Sequence, residues 1–391
     1  MDTSVDVLIA GGGPVGAFLA LCLRDAPLSV LHVDGLEAGA QRPIALSHGS
    51  RLLLAKQGVF DRIANTPIQT IHVSQRGAFG RALIKAEEHG LPALGYVADY
   101  GSIRAAMSEK IAPSIGQVTG WSLEAGHVAV RVSDQQGLMQ DVHARLLVQA
   151  DGATGITSSG DAVNFDSTIT RDYAQCAIVT QVRTDAPHRN TAYERFTSEG
   201  PLALLPNDGE FLSVQDGFAL VWCVGRDTAP GLLEMNQKSF LARLGESFGS
   251  RLGGFVSVGH RRSFPLSLRY LNKNPGERVV AIGNAAQSLH PVAGQGLNLG
   301  LRDAWELAAA LLDPDASISQ AEFGDSFMRR RRVDRRLEIG LTDSLVRIFS
   351  RPEPWLGALR GAALLAIDTC PPARRLLANT MMYGLRSNRP V

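Results

Sequence analysis

Residues 11–16 read Gly-Gly-Gly-Pro-Val-Gly, a G-x-G-x-x-G spacing between an apolar run (5–10) and a run of helix formers (17–24). Gly11 permits a tight turn. Gly13 lets backbone approach a pyrophosphate, and Gly16 lets helix and strand pack closely, with the helix N-terminus facing the anion. Asp34 ends the next apolar run, 28–34, where a carboxylate can bond a ribose hydroxyl. These residues point to a dinucleotide. They do not separate a nicotinamide from a flavin.

A second stretch, residues 283–304, reads GNAAQSLHPVAGQGLNLGLRDA and follows the apolar run 278–283. Its glycine-rich loop leads into a helix beginning near Leu297. The N–H groups of residues 294–298 would then converge on one spot and stabilise negative charge there, as on a reduced flavin ring. A third element, Asp151-Gly152, follows the apolar run 145–150.

Together these three motifs resemble the flavin-dependent aromatic hydroxylases, whose familiar member is p-hydroxybenzoate hydroxylase. The resemblance covers nearly the whole chain. Residues 42–47, 71–80, 193–206 and 342–349 resemble one branch in particular, the 2-polyprenyl-6-methoxyphenol hydroxylases of ubiquinone biosynthesis. It implies FAD as cofactor, NAD(P)H as reductant, dioxygen as co-substrate, a flavin hydroperoxide as oxygen donor and a polyprenylated phenol as substrate. Cofactor binding is assigned by it to Gly11, Gly13, Gly16, Asp34, Arg42, Asp151, Gly152, Gly283, Asn284, Gly294, Gly296, Leu297 and Asn298. Pro291, Gly294, Gln295 and Gly296 position the flavin loop, and His290 is a candidate acid–base group. The sequence departs from the family twice: no Arg follows Asp151-Gly152 within residues 153–158, and Asn284 stands where many relatives have Asp. Asn keeps an acceptor oxygen for a ribityl hydroxyl. His290 also reads as a loop histidine bonded to backbone, and Arg42 as an ordinary surface arginine. Two alternatives stay open: a hydroxylase of another ring position or phenol, because quinone-pathway hydroxylases acting at other positions share much of these stretches, and, given the missing Arg, a flavin-binding scaffold in a complex of biosynthetic proteins.

The elements that must position these residues form an α/β composite. A Rossmann-like FAD-binding domain is expected from residues 1–70, 97–172 and 277–350. An inserted substrate domain with an antiparallel β-sheet is expected from 71–96 and 173–276, where short apolar runs recur about every ten residues. C-terminal helices fill 351–391. Helices are expected at 50–64, 101–112, 296–312, 319–349 and 354–385. Strands are expected at 174–185, 191–197, 200–206, 209–216, 217–225 and 255–268. The sheet 174–225 should wall the substrate cavity opposite loop 290–298, with Leu202 and Leu204 on one face and Leu205 on the other. The arginines at 329–332, 335 and 336 read as a solvated helix face, or as a contact with anionic lipid.

Composition excludes several classes. Lys+Arg 39 against Asp+Glu 38 leaves a net charge of +1, so no global field recruits nucleic acid. Four cysteines without a CxxC indicate neither a metal site nor a disulfide framework. The N-terminus lacks a basic n-region, so a cytoplasmic protein is expected, with peripheral contact to the inner membrane left open.

Overall fold

The computed structural model describes residues 3–35, 42–111, 116–134, 136–152, 168–208, 217–314, 318, 321–349 and 354–384. Strand Thr3–Ala10 pairs parallel with Val30–Val33 on one side and Met139–Gln149 on the other. Val279–Ala281 also pairs parallel with Met139–Gln149. Antiparallel strands Gln117–Glu124 and His127–Ser133 complete a six-stranded sheet. The first strand reads as one apolar run because both of its faces are covered. Val7 and Ile9 pack with helices Pro14–Leu23 and Gln295–Leu311. Leu8 and Ala10 pack with Trp121, Val128 and Val130 of the antiparallel strands.

The second sheet has nine strands. From one edge they run Gln287–Ser288, Arg262–Leu271, Thr168–Thr184, Gly217–Gly225, Pro201–Asn207, Thr191–Phe196, Thr70–Gln75 and Arg81–Lys85, with Phe255–Val258 also pairing Thr168–Thr184. Every pairing is antiparallel except Thr191–Phe196 with Thr70–Gln75. The expected strand 209–216 lies outside the described residues. A small sheet of Pro43–Ser47, Gly95–Asp99 and Asn65–Ile68 joins the two large ones.

The expected helix 50–64 divides. Helix His48–Lys56 stops before Gly58, whose φ of 63° suits glycine, and a 3-10 turn follows at Phe60–Arg62. The expected helix 354–385 divides at Pro371 into Pro354–Thr369 and Pro371–Tyr383, because proline cannot donate the next helical hydrogen bond. The last of these packs into the body through Ala378 and Met382.

Helix Phe323–Phe349 corrects the reading of the basic run. Arg331 and Arg335 are buried. Arg331 pairs with Asp303 at 2.9 Å and with Asp334 at 2.7 Å, and Arg335 donates to the Ala286 carbonyl at 3.1 Å. Arg302 pairs with buried Glu338 beside them. Only Arg329, Arg330, Arg332 and Arg336 face solvent. Among the described residues no helix is long and apolar enough to cross a membrane.

Candidate functional site

Within the turn at residues 11–16, backbone packs so closely on Gly11 and Gly16 that only glycine fits there. A Cβ on Gly11 (φ 126°) would lie 2.4 Å from the Ala150 carbonyl and 2.6 Å from the Asp151 nitrogen. One on Gly16 would lie 2.1 Å from the Gly11 oxygen. The turn is pinned by its own N–H to the Val33 carbonyl at 2.9 Å and by His32 Nε2, 3.1 Å from the Gly11 oxygen. Helix Pro14–Leu23 starts at Gly13 with no side chain capping its first turn. Its leading N–H groups are therefore open to an anion. The Asp151 backbone lies against this turn, and Gly152 follows it with a φ of 84°; residues 153–158 lie outside the described residues.

Asp34 stands where the sequence placed it, at the end of the second strand. A Cβ on Gly12 would fall within its carboxylate, 1.4 Å from Oδ1. Asp34 also has a partner that sequence reasoning missed. Arg104, on helix Tyr100–Ser108, donates to both of its oxygens at 2.9 and 3.0 Å. Tyr100, at the start of that helix, reaches Gly13: its hydroxyl would be 3.1 Å from a Cβ there. The Arg42 guanidinium lies 4.7 Å from the Tyr100 ring centre. Asp99, which caps the helix by accepting from the Ser102 N–H at 3.1 Å, holds these side chains in place. Arg42, Tyr100 and Arg104 thus ring the phosphate turn with two cations.

The second glycine-rich loop closes the same region. Gly283 (φ 59°) and Gly300 admit Val15 between them, since Cβ atoms there would lie 3.1 and 2.7 Å from its methyls. Asn284 follows Gly283 in a 3-10 turn and is exposed. Gly294 starts helix Gln295–Leu311 in a left-handed conformation (φ 61°), again without a side-chain cap. A Cβ on Gly296 would meet nothing within 4 Å. Beside the first helical turn, therefore, there is room for a flat group against the backbone, and uncapped N–H groups to polarise it. Leu297 is partly buried.

Asn298 anchors that turn. Its Oδ1 accepts from the Ser47 N–H at 2.8 Å and the Ser50 hydroxyl at 2.7 Å. Its Nδ2 donates to the carbonyls of Ala45 at 3.0 Å and Gly294 at 2.8 Å. One buried amide thus ties strand Pro43–Ser47 to the loop some 250 residues away.

His290 is 1% exposed and stands edge-on to Tyr173. Its Nδ1 accepts from the Val292 N–H at 3.2 Å, which leaves the proton on Nε2, 3.4 Å from Gln175 Oε1. Burial lowers its pKa to about 4. The ring is neutral at pH 7 and bonded at both nitrogens. Of its two sequence readings, this geometry is that of the backbone-bonded loop histidine. Pro291 opens the turn that follows, and its carbonyl accepts from the Gly294 N–H at 2.9 Å.

A narrow apolar cleft of about 60 Å³, open to solvent, ends on this loop at Gln295 and Asn298. Ile68, Ile71 and Ile84 form one side, and Met381 and Met382 of the last helix form the other. The face of the sheet turned to this cleft is not the one that carries Leu202 and Leu204. Leu202, Leu204, Phe218, Leu220 and Trp222 face away from it, sealed against helix Gln237–Phe248 through Phe240, Leu244 and Phe248. Period-2 alternation does split the leucines: Leu205 packs on the cleft side with Ile68, Ile71 and Ala45.

The chain matches the FAD binding domain family over residues 4–332. It is 33% identical to ubiquinone hydroxylase UbiL of Rhodospirillum rubrum, over 98% of this chain and 91% of the relative. It is 27% identical to the 3-demethoxyubiquinol 3-hydroxylase of Escherichia coli, over 93% and 94%. Among solved structures, p-nitrophenol 4-monooxygenase PnpA from Pseudomonas putida superposes with a TM-score of 0.73 at 19% identity, covering 99% of this chain and all of that one. The uncapped phosphate turn, the paired Asp34 and the open Gly296 backbone suit the dinucleotide, ribose and ring of one extended cofactor. The chain belongs to the FAD-binding domain family, and within it to the FAD-dependent aromatic hydroxylases.

Proposed function

We propose that this protein hydroxylates the ring of a polyprenylated phenol in ubiquinone biosynthesis, with 2-polyprenyl-6-methoxyphenol as substrate. The observation that carries the reading is the apolar cleft ending on the loop at Gln295 and Asn298. A cleft walled by isoleucine and methionine suits a prenyl chain, and its polar end suits the ring that the chain carries. Bound FAD supplies the activation of dioxygen, with NAD(P)H as reductant.

The residues divide the remaining work. Gly11, Gly13 and Gly16 hold the pyrophosphate at the N-terminus of helix Pro14–Leu23, with Arg42 and Arg104 beside it. Asp34 takes the ribose. Asp151, Gly152, Gly283 and Asn284 border the middle of the cofactor. Gly294, Gly296, Leu297 and Asn298 present backbone to the ring. Pro291 and Gln295 shape the loop, and His290 fixes it without moving a proton. The six-stranded sheet then serves the cofactor and the nine-stranded sheet the substrate. Val333, Leu337, Leu341 and Ile348 are exposed on helix Phe323–Phe349 among Arg329, Arg332 and Arg336. This apolar and basic surface suits an anionic membrane that stores a prenylated substrate.

A second reading changes the ring position. It is favoured by the relative named for 3-hydroxylation of demethoxyubiquinol. Deleting the gene and identifying the accumulated quinone precursor by mass spectrometry separates the two. Accumulation of the 2-polyprenyl-6-methoxyphenol supports the first; a later precursor replaces it with the second. A purified protein that is not yellow, or that NAD(P)H fails to bleach without oxygen, refutes both.

A further inference from the structure

The nine-stranded sheet has one face turned towards loop 290–298, and that face carries a carboxylate in its middle. On strand Thr191–Phe196, Ala192 packs with Ile68, Ile71 and Leu205 beside the cleft, and Phe196 packs on Val292 of the loop. Glu194 lies between them, so strand periodicity turns it to the same face. Its lateral neighbours in register are Ala203 and Val73. Two strands away, Cys223 shares this face with Ala177 and Tyr173. Arg195 points to the opposite face, where it donates to Ser74. Among the described residues no cation pairs with Glu194. An interior strand of a large sheet is a costly place for a lone carboxylate, because desolvation disfavours its charge. The residue is nevertheless only partly covered.

Resting on the proposed hydroxylation, we infer that Glu194 is the catalytic base that accepts the phenolic proton of the substrate. As the ring carbon ortho or para to the hydroxyl takes OH from a hydroperoxide donor ROOH, the O–O bond breaks with its electron pair left on the departing RO⁻, ring electrons move and the phenolic O–H becomes acidic. Its proton passes to the Glu194 carboxylate, leaving a dienone. The ring carbon then loses its hydrogen as a proton, which ends on the departing RO⁻ to give ROH, the carbonyl oxygen takes one back from Glu194, and the aromatic product is restored. No net proton stays on the protein. Burial pushes the Glu194 carboxyl up to about 7, so its basic form is present at and above neutral pH. Cys223, which feels this charge, is itself pushed well up by burial and stays a thiol. Tyr173 is raised too, by burial and by Asp343, which accepts its hydroxyl at 3.1 Å, and His290 is neutral.

The test is Glu194→Gln in the full-length holoenzyme, with short-prenyl phenols of graded acidity made by ring fluorination. In the wild type, product formation should rise with pH through about 7. In the variant that rise should vanish and product formation should drop by about 10²-fold or more, the usual contribution of a positioned base. FAD content and NAD(P)H oxidation should persist, with hydrogen peroxide replacing product. The more acidic phenols should recover part of the lost rate, an effect that a merely structural role would not produce. An unchanged pH profile with wild-type product yield overturns the assignment, and so does a loss that phenol acidity does not relieve. If the glutamine variant fails to fold, Glu194→Asp replaces it; a lowered rate that keeps the rise with pH supports the base, and a flat profile overturns it. Failure of the wild type to hydroxylate any prenylated phenol is a separate outcome that removes the proposed function and this inference with it.

Discussion

Gly296 and Gly300 stand four residues apart on one helix, and their surroundings call for opposite outcomes on substitution. A Cβ on Gly300 would lie 2.7 Å from a Val15 methyl and 3.2 Å from the Gly283 Cα. The second contact is backbone, so it cannot yield by a rotamer change. Gly300→Ala should cost about 1–3 kcal/mol of stability, the usual penalty for overpacking. A Cβ on Gly296 would meet nothing within 4 Å, and its φ is not left-handed. Gly296→Ala should therefore leave the apoprotein as stable or add up to about 1 kcal/mol from helix propensity. If the flavin ring lies against that backbone, Gly296→Val should weaken FAD at least tenfold, about 1.4 kcal/mol. Urea unfolding of the two apoproteins and fluorescence titration with FAD measure both quantities. A Gly296→Val protein that is stable and binds FAD as tightly as the wild type would refute the placement of the ring.

Asp34→Ala should weaken FAD retention by about 1–3 kcal/mol through a lost charged hydrogen bond. Because Arg104 holds the same carboxylate, the loss in Asp34→Ala/Arg104→Gln should be smaller than the sum of the single losses, and additivity in flavin titrations would separate the two residues. Asn298→Ala removes four hydrogen bonds from a buried amide and should cost about 2–4 kcal/mol by urea unfolding; a cost below about 1 would mean that the loop does not depend on it. Arg331→Met strands Asp303 and Asp334 and should cost about 3–5 kcal/mol, whereas a solvated arginine would cost under about 0.5. His290 titrates near 4 in the fold and near 6.5 unfolded, so its contribution is complete above about 6.5 and is lost as the pH falls towards 4. By pH 5 the loss is roughly 2 kcal/mol, and His290→Gln should flatten the acid limb of stability against pH by that amount.

The parallel sheet was legible because its strands are covered on both faces and so read as unbroken apolar runs, as at residues 5–10 and 278–283. The small sheet was not. Its strands are four or five residues long and pair across about fifty and about thirty residues, separations at which local pattern carries no signal. Helix Phe323–Phe349 shows a different failure. Its period was readable, but the assumption that apolar residues face inward reversed it. Arg331, Asp334, Arg335 and Glu338 recur at the spacing of a buried stripe, while Val333, Leu337 and Leu341 form the outer one. Charges can face inward here because they meet Asp303, Arg302 and the Ala286 carbonyl. Those partners come from another part of the chain.

The same distinction separates the site residues that sequence could find from those it could not. A glycine marks itself, because close approach of backbone excludes every other residue, and so Gly11 and Gly16 were readable one at a time. Arg104 and Glu194 have no such local mark. Arg104 acquires its meaning only when helix Tyr100–Ser108 is laid beside the second strand, 70 residues earlier. Glu194 acquires its meaning from the register of three strands, which decides whether a carboxylate faces the sealed core or the loop at 290–298. The choice between the two faces of the sheet has the same origin. Alternation separated Leu202 and Leu204 from Leu205, but only helix Gln237–Phe248 shows which of the two faces is sealed. With Phe240, Leu244 and Phe248 closing one side of the sheet, the substrate ring has only the other to approach, and a carboxylate on that side can meet a phenolic proton.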